Sequence, residues 1–282
     1  MKPMNHKRFL RIIIIVLATY SLAGCFSFSF WFERLDTLAI WKLDEMFELS
    51  SQQENIVRPD IIEFREWLRT ESIPEVSKEL VLVKNLWDSG RHEKALTTLE
   101  HRSRQLFDQA LIYSWPKVAR LLSYLTRENA YAYQQWAEER MDDWYAETQS
   151  LDAKLEDRTE KLEEWFGKLS PRPLAIVSKY TKFHPDERII RINNSQQRRQ
   201  RFLSMAIEGD WQRLEEAYKN PVMLQSRAYK RWREGERSQL EGLLRALLPT
   251  LSTNQADYVS TTLDDWITRL DSVTENQPPE TS

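Results

Sequence analysis

Residues 128–169 read ENAYAYQQWAEERMDDWYAETQSLDAKLEDRTEKLEEWFGKL. Along this stretch Ala137, Met141, Trp144, Thr148, Leu151, Leu155, Arg158, Leu162, Trp165 and Leu169 follow one another in alternating steps of four and three. That rhythm is the seam of an α-helix, because residues three and four apart share a face. Only Thr148 and Arg158 interrupt it. The spacing predicts one long helix over 128–169, packed against other helices of the same chain. A dimeric coiled coil would ask for a longer clean seam.

The helical period continues outward. The chain has no β-branched alternating run and no Asn-Gly or Asp-Gly hairpin pair. Pro59, Pro74, Pro116, Pro171, Pro173, Pro185, Pro221 and Pro249 cut it into helix-length pieces, several of them where a first turn tolerates proline. Residues 36–48 carry Leu38, Ala39, Ile40, Trp41, Leu43, Met46 and Phe47. Such a helix is apolar around most of its circumference and is expected to be buried on several sides, with Asp36 as its cap. Asp44 within it would then need an internal Arg partner or a polar ligand. Leu49-Ser50-Ser51-Gln52-Gln53 and Leu251-Ser252-Thr253-Asn254-Gln255 repeat one pattern, and Leu169-Ser170-Pro171-Arg172-Pro173 shares its first two positions. The Ser hydroxyl accepts from the first turn while the Gln reaches back, which marks a helix start. Across 282 residues, 41% hydrophobic with 11 Trp, a sizeable core is available, and a single Cys excludes a disulfide framework and a Cys-based zinc cluster.

That Cys stands at a telling place. Residues 1–24 hold Lys2, Lys7, Arg8 and Arg11 and no acid, followed by the apolar run Ile12-Ile13-Ile14-Ile15-Val16-Leu17-Ala18. A charged start, a short apolar centre and small residues before a cut site describe a secretory signal, too short for a comfortable span. Leu22-Ala23-Gly24-Cys25 resembles the lipobox of bacterial lipoproteins. The resemblance implies a diacylglyceryl group on the Cys25 thiol, cleavage just before it, and acylation of the new amine; Phe26 in place of Asp is similar to the sorting pattern of outer-membrane members. Cleavage leaves 258 residues with 36 Lys and Arg against 43 Asp and Glu, so the formal charge moves from −3 to −7. That balance gives no argument for nucleic acid. Residues 26–32, Phe-Ser-Phe-Ser-Phe-Trp-Phe, either lie at the bilayer surface or dock onto the domain.

Two further resemblances rest on short motifs. The Ser-x-x-Gln pattern is similar to the Leu-Thr-x-x-Gln element of Spy-type periplasmic chaperones, which implies a helical cradle for unfolding clients. The run Leu35-Asp36-x-Leu38-x-x-Trp41-x-x-Asp44, then Leu49-Ser50-x-x-Gln53, taken with the lipobox, resembles a family of uncharacterised Gram-negative lipoproteins. That resemblance implies one all-helical domain over nearly the whole mature chain. Residues 86–100, with Gly90 and Glu93-Lys94-Ala95-Leu96, are similar to the turn of one tetratricopeptide hairpin, without a second copy.

Signals for chemistry are sparse. His92, His101 and His184 lack metal-ligand spacing, and no Gly-x-Ser-x-Gly elbow or Gly-rich phosphate loop exists. Asp142-Asp143, Glu163-Glu164, Glu215-Glu216 and Asp264-Asp265 each fit a solvated helix face. No catalytic residue, metal site or cofactor is predicted. Two basic clusters stand out: Arg198-Arg199-Gln200-Arg201, and a longer one containing Arg227, Lys230, Arg231, Trp232 and Arg233. Forked guanidinium bonds and stacking would suit a phosphate or sugar-acid ligand; a solvated face paired with nearby Glu is the other reading.

The expected architecture is all-α, a multi-helix bundle of antiparallel helices behind a cleaved lipoprotein signal peptide. Its parts are the signal (1–24), the lipidated Cys and tether (25–35), the helical domain (36–271) and a disordered tail (272–282). The expected function is a non-enzymatic binding or envelope-maintenance protein. It would be tethered to the periplasmic face of the outer membrane through Cys25, with an envelope protein as partner and no nucleic acid. A tethered holdase would need an exposed apolar groove, and a glycan-acting enzyme two carboxylates across a cleft.

Overall fold

The computed structural model describes residues 28–146 and 150–275, the side chains of 142–146 excepted. Every regular element among them is helical. The order is α1 (28–33), α2 (Leu35–Phe47), α3 (Ser51–Trp67), a π turn (Leu68–Ser72), α4 (Ile73–Asp88), α5 (His92–Tyr124) and α6 (Arg127–Ala146). Then follow α7 (Leu151–Phe166), α8 (Pro171–Tyr180), α9 (Glu187–Glu208), α10 (Trp211–Lys219), a 3₁₀ turn (Pro221–Leu224), α11 (Arg227–Leu247), a second 3₁₀ turn (Leu248–Thr250) and α12 (Thr253–Glu275). The all-α, multi-helix fold read from the sequence is the fold found.

The stretch 128–169 is two helices rather than one. Ser150 is extended at φ −140° and ψ 166°, and its hydroxyl accepts the Ala153 N–H at 3.1 Å, so a new helix starts there. Ala137 and Met141 are buried on α6, Leu162 and Phe166 on α7, while Trp165 is 38% exposed. Trp144 and Thr148 lie outside the described side chains. The prolines also cut less than expected. Pro59 and Pro116 sit inside α3 and α5, each at the cost of one ladder bond. Pro74 follows the π turn, where the Ile73 N–H bonds Leu68 O and the ladder widens just before a residue that cannot donate.

Helix α4 packs between α5 and α12, α3 between α2 and α5, and α2 against α6. The main core gathers Leu86 and Trp87 of α4, Phe166 of α7, Val177 of α8, Leu243 and Leu247 of α11 and Leu263 of α12. A second cluster joins Trp115 of α5 to Met205 of α9 and Leu214 of α10. A third joins Phe32 of α1 to Ile73, Leu270 and Val273, with Phe28 against it. The domain is therefore wider at both ends than 36–271. Part of the expected tether is helical and docked, and part of the expected tail is the last turn of α12, where Val273 is fully buried.

The repeated caps hold at two of three places. Ser50 and Gln53 form a reciprocal box, as do Ser252 and Gln255. In both, the Gln amide nitrogen then bonds a distant carbonyl, Tyr124 O at 2.8 Å and Lys168 O at 3.1 Å. Ser170 makes no capping bond, since Pro173 at the third helical position has no N–H to donate to its hydroxyl and no amide to reach back. Leu125-Thr126-x-x-Asn129 is a further box with Asn in the Gln place: Asn129 accepts the Thr126 N–H at 2.8 Å and donates to Phe47 O at 2.7 Å. Gln53 Nε2 bonds Asn129 Oδ1 at 2.7 Å, so the starts of α3 and α6 interlock over the end of α2.

Candidate cationic face between α9 and α11

The site is built on a helix start. Ser226 is extended and its hydroxyl accepts the Tyr229 N–H at 3.2 Å, which opens α11 at Arg227. The Ser226 N–H is taken by Asn194 Oδ1 at 2.8 Å, from a side chain of α9 that is only 2% exposed. Asn194 thus does from a neighbouring helix what Gln does in the local boxes. It ties the two basic clusters together, because Arg198 is one turn beyond it and Arg227 is the residue after Ser226.

Arg227, Arg231 and Arg233 are exposed, and Lys230 is half-buried. None of the four makes a side-chain ion pair or hydrogen bond among the described residues. The first turn of α11 carries no acid. Cations at a helix N-terminus oppose the macrodipole, at about 0.3–1 kcal/mol each in exposed positions. The expectation of a face paired with nearby Glu is therefore not met. Two carboxylates nearby are used elsewhere: Glu187 and Glu236 bind Lys154 at 2.7 and 2.8 Å, and Glu236 also binds Arg158 at 3.0 Å; Glu234, one turn after Lys230, is exposed and makes no ion pair among the described residues. Trp232 packs on Tyr229 with ring centres 5.3 Å apart and lies under the Arg191 guanidinium at 5.8 Å. Its buried Nε1 and the buried Nε of Arg198 have no hydrogen-bond partner among the described residues. The face thus gathers cations without ion pairs beside an aromatic ring, the residue types that forked hydrogen bonding and stacking on an anion require.

The remaining sequence candidates resolve locally. Cys25 and Leu22, Ala23 and Gly24 lie outside the described residues. Asp44 is half-buried, with no side-chain ion pair or hydrogen bond among the described residues. Its helix buries Ile40 and Phe47 but leaves Trp41 64% exposed, so the expectation of burial on several sides fails and Asp44 needs no partner. Asp36 does not cap α2; it accepts from Arg65 at 3.0 Å. His92 stacks on Trp87 at 4.2 Å, and His184 Nδ1 accepts the Asp186 N–H. Glu163 accepts the Leu169 N–H, Glu215 pairs with Lys219, and Asp264 pairs with Lys84. Among the described residues no group of His, Cys, Asp and Glu could hold a metal ion, and no helix is long and apolar enough to cross a membrane. An open groove of about 600 Å³ runs between α5 and α10, with Trp115, Pro116 and Trp211 on its walls beside Arg120 and Glu215. Glu215 is its one carboxylate, so this groove lacks a facing acid pair. Arg120 reaches past it to Asp60 at 3.0 Å, a buried carboxyl whose pKa is raised by burial.

Compared with known families, curated proteins and solved structures, the chain matches none.

Proposed function

We propose that the protein is a lipoprotein of the cell envelope, anchored through an acylated Cys25 and facing the periplasm. In this reading it is a non-enzymatic binding protein that holds an anionic envelope component on the α9–α11 face. The observation that carries the location is Leu22-Ala23-Gly24-Cys25 behind a basic, apolar leader, with the chain's one Cys at the position to be acylated. Two or more acyl chains give stable anchoring where one does not. Residues 35–53, which resemble the helical Gram-negative lipoproteins, support the same placement. The absence of Asp after Cys25 supports the outer membrane.

The binding reading rests on Arg227, Lys230, Arg231 and Arg233, left unpaired around Trp232 at a helix start that has no acid in its first turn. Lipid phosphates, lipopolysaccharide phosphates and peptidoglycan carboxylates share the required chemistry. Arg231→Glu with Arg233→Glu should weaken binding to vesicles of anionic lipid or to lipopolysaccharide at least tenfold, with the helical spectrum unchanged. Unchanged binding would return the cluster to a solvated face. A tethered holdase is the second reading, favoured by the Trp115–Trp211 groove. Suppression of aggregation of an unfolded client, lost in Trp211→Ala and kept in the double Glu variant, would select it.

A further inference from the structure

Helix α2 is apolar on two sides, yet the domain covers only one. Ile40 and Phe47 face the interior, and Phe32 of α1 is 7% exposed against Ile73, Leu270 and Val273. The other side is open. Phe30 is 38% exposed, Trp31 53%, Leu38 39% and Trp41 64%. Residues 30, 34, 38 and 41 follow one another at helical spacing, and the guanidinium of Arg34 lies 3.7 Å from the Phe30 ring centre. The segment cannot swing away freely. Arg65 binds Glu33 O at 2.7 Å and Asp36 at 3.0 Å, and the buried Arg69 of the π turn binds Glu33 at 2.9 Å.

We propose that this face of α1 and α2 lies on the phospholipid bilayer, with Phe30, Trp31, Leu38 and Trp41 at headgroup level. The inference rests on the anchoring of Cys25. Phe28, the first described residue, follows Cys25 by three positions. An extended chain spans at most about 3.6 Å per residue, so α1 begins within about 11 Å of the backbone of the acylated Cys25. That reach exceeds the headgroup layer, about 5–8 Å a side, by only a few ångström, so the first helix begins at or beside the interface. Trp and Phe are the side chains suited to that depth, with Arg34 able to reach lipid phosphates. A Trp-bearing face held rigidly beside a lipid anchor turns a tether into an orientation: the domain stands on the membrane by one defined side.

The test uses the full lipidated protein. Acylation blocks Cys25, so a cysteine introduced by Trp41→Cys, Leu38→Cys or, as a control, Ile207→Cys is the only thiol for an environment-sensitive nitrobenzoxadiazole label; Ile207 is 72% exposed on α9. Each variant is reconstituted in vesicles of phosphatidylethanolamine and phosphatidylglycerol containing headgroup-spin-labelled lipid, and the same samples are floated on a density gradient. Flotation with quenching at 38 and 41 at least threefold above that at 207 is expected. Flotation with equal quenching at all three positions overturns the inference alone, and a blue-shifted but unquenched label at 41 would show protein on that face instead. Failure to float would overturn the anchor, and this inference with it.

Discussion

Gln53→Ala is the substitution that weighs the interlocked caps. Gln53 is 9% exposed and, besides the Ser50 hydroxyl within its own cap, its side chain makes three bonds that alanine cannot: it accepts the Ser50 N–H at 2.9 Å and donates to Tyr124 O at 2.8 Å and to Asn129 Oδ1 at 2.7 Å. Each bond is worth about 1 kcal/mol net, and a buried partner left unpaired costs somewhat more. The expected loss is about 3 kcal/mol. Gln255→Ala removes the same reciprocal bond and a single distant one, to Lys168 O, so about 2 kcal/mol is expected. Ser170→Ala removes no capping bond and should stay within about 0.5 kcal/mol. Equilibrium urea unfolding followed by helical circular dichroism orders the three, provided the slope with urea is unchanged. Gln53→Ala with Asn129→Ala should cost less than the two singles added, because they share a bond. A Gln53→Ala loss below about 1 kcal/mol, or a Ser170→Ala loss equal to it, would refute the reasoning.

Two other outcomes follow from packing and charge. A Cβ at Gly242 of α11 would stand 2.8 Å from Tyr180 Cε1, so Gly242→Ala should lose about 1–2 kcal/mol where helix propensity alone promises a gain; thermal unfolding reads the sign, and Tyr180→Leu should reverse it. Glu45 is held at a pKa of about 2 by the Lys42 ammonium, then the Trp136 indole and the Arg140 guanidinium. A depressed carboxyl stabilises above its ordinary pKa, near 4.5, and that contribution is lost as pH falls through about 2. Carboxyl-carbon NMR should place the Glu45 midpoint near 2, and a midpoint near 4.5 would dissolve this link between α2 and α6.

Which parts were legible follows from the range of each signal. The helical period is local, so the all-α class was readable throughout. The boxes at Ser50 and Ser252 are local too, and both formed. The break at Ser150 is masked in the sequence because the seam's period carries across it. The Thr126 box departs from the repeated pattern because Asn129 replaces Gln. Pro59 and Pro116 were read as stops although surrounding packing can carry a helix through a proline at some cost. Asn194 gave no sequence signal, since its meaning is a bond to Ser226, 32 residues away. Likewise the composition of α2 showed two apolar sides but not that one would stay uncovered.

The central claim is that this chain is an anchored lipoprotein, and mass spectrometry of the N-terminal peptide from membranes tests it most directly. The account predicts a chain that begins at Cys25 and carries a diacylglyceryl thioether there, with acyl label lost in Cys25→Ser. A chain that begins at Met1, or one with a free thiol at Cys25, would contradict it.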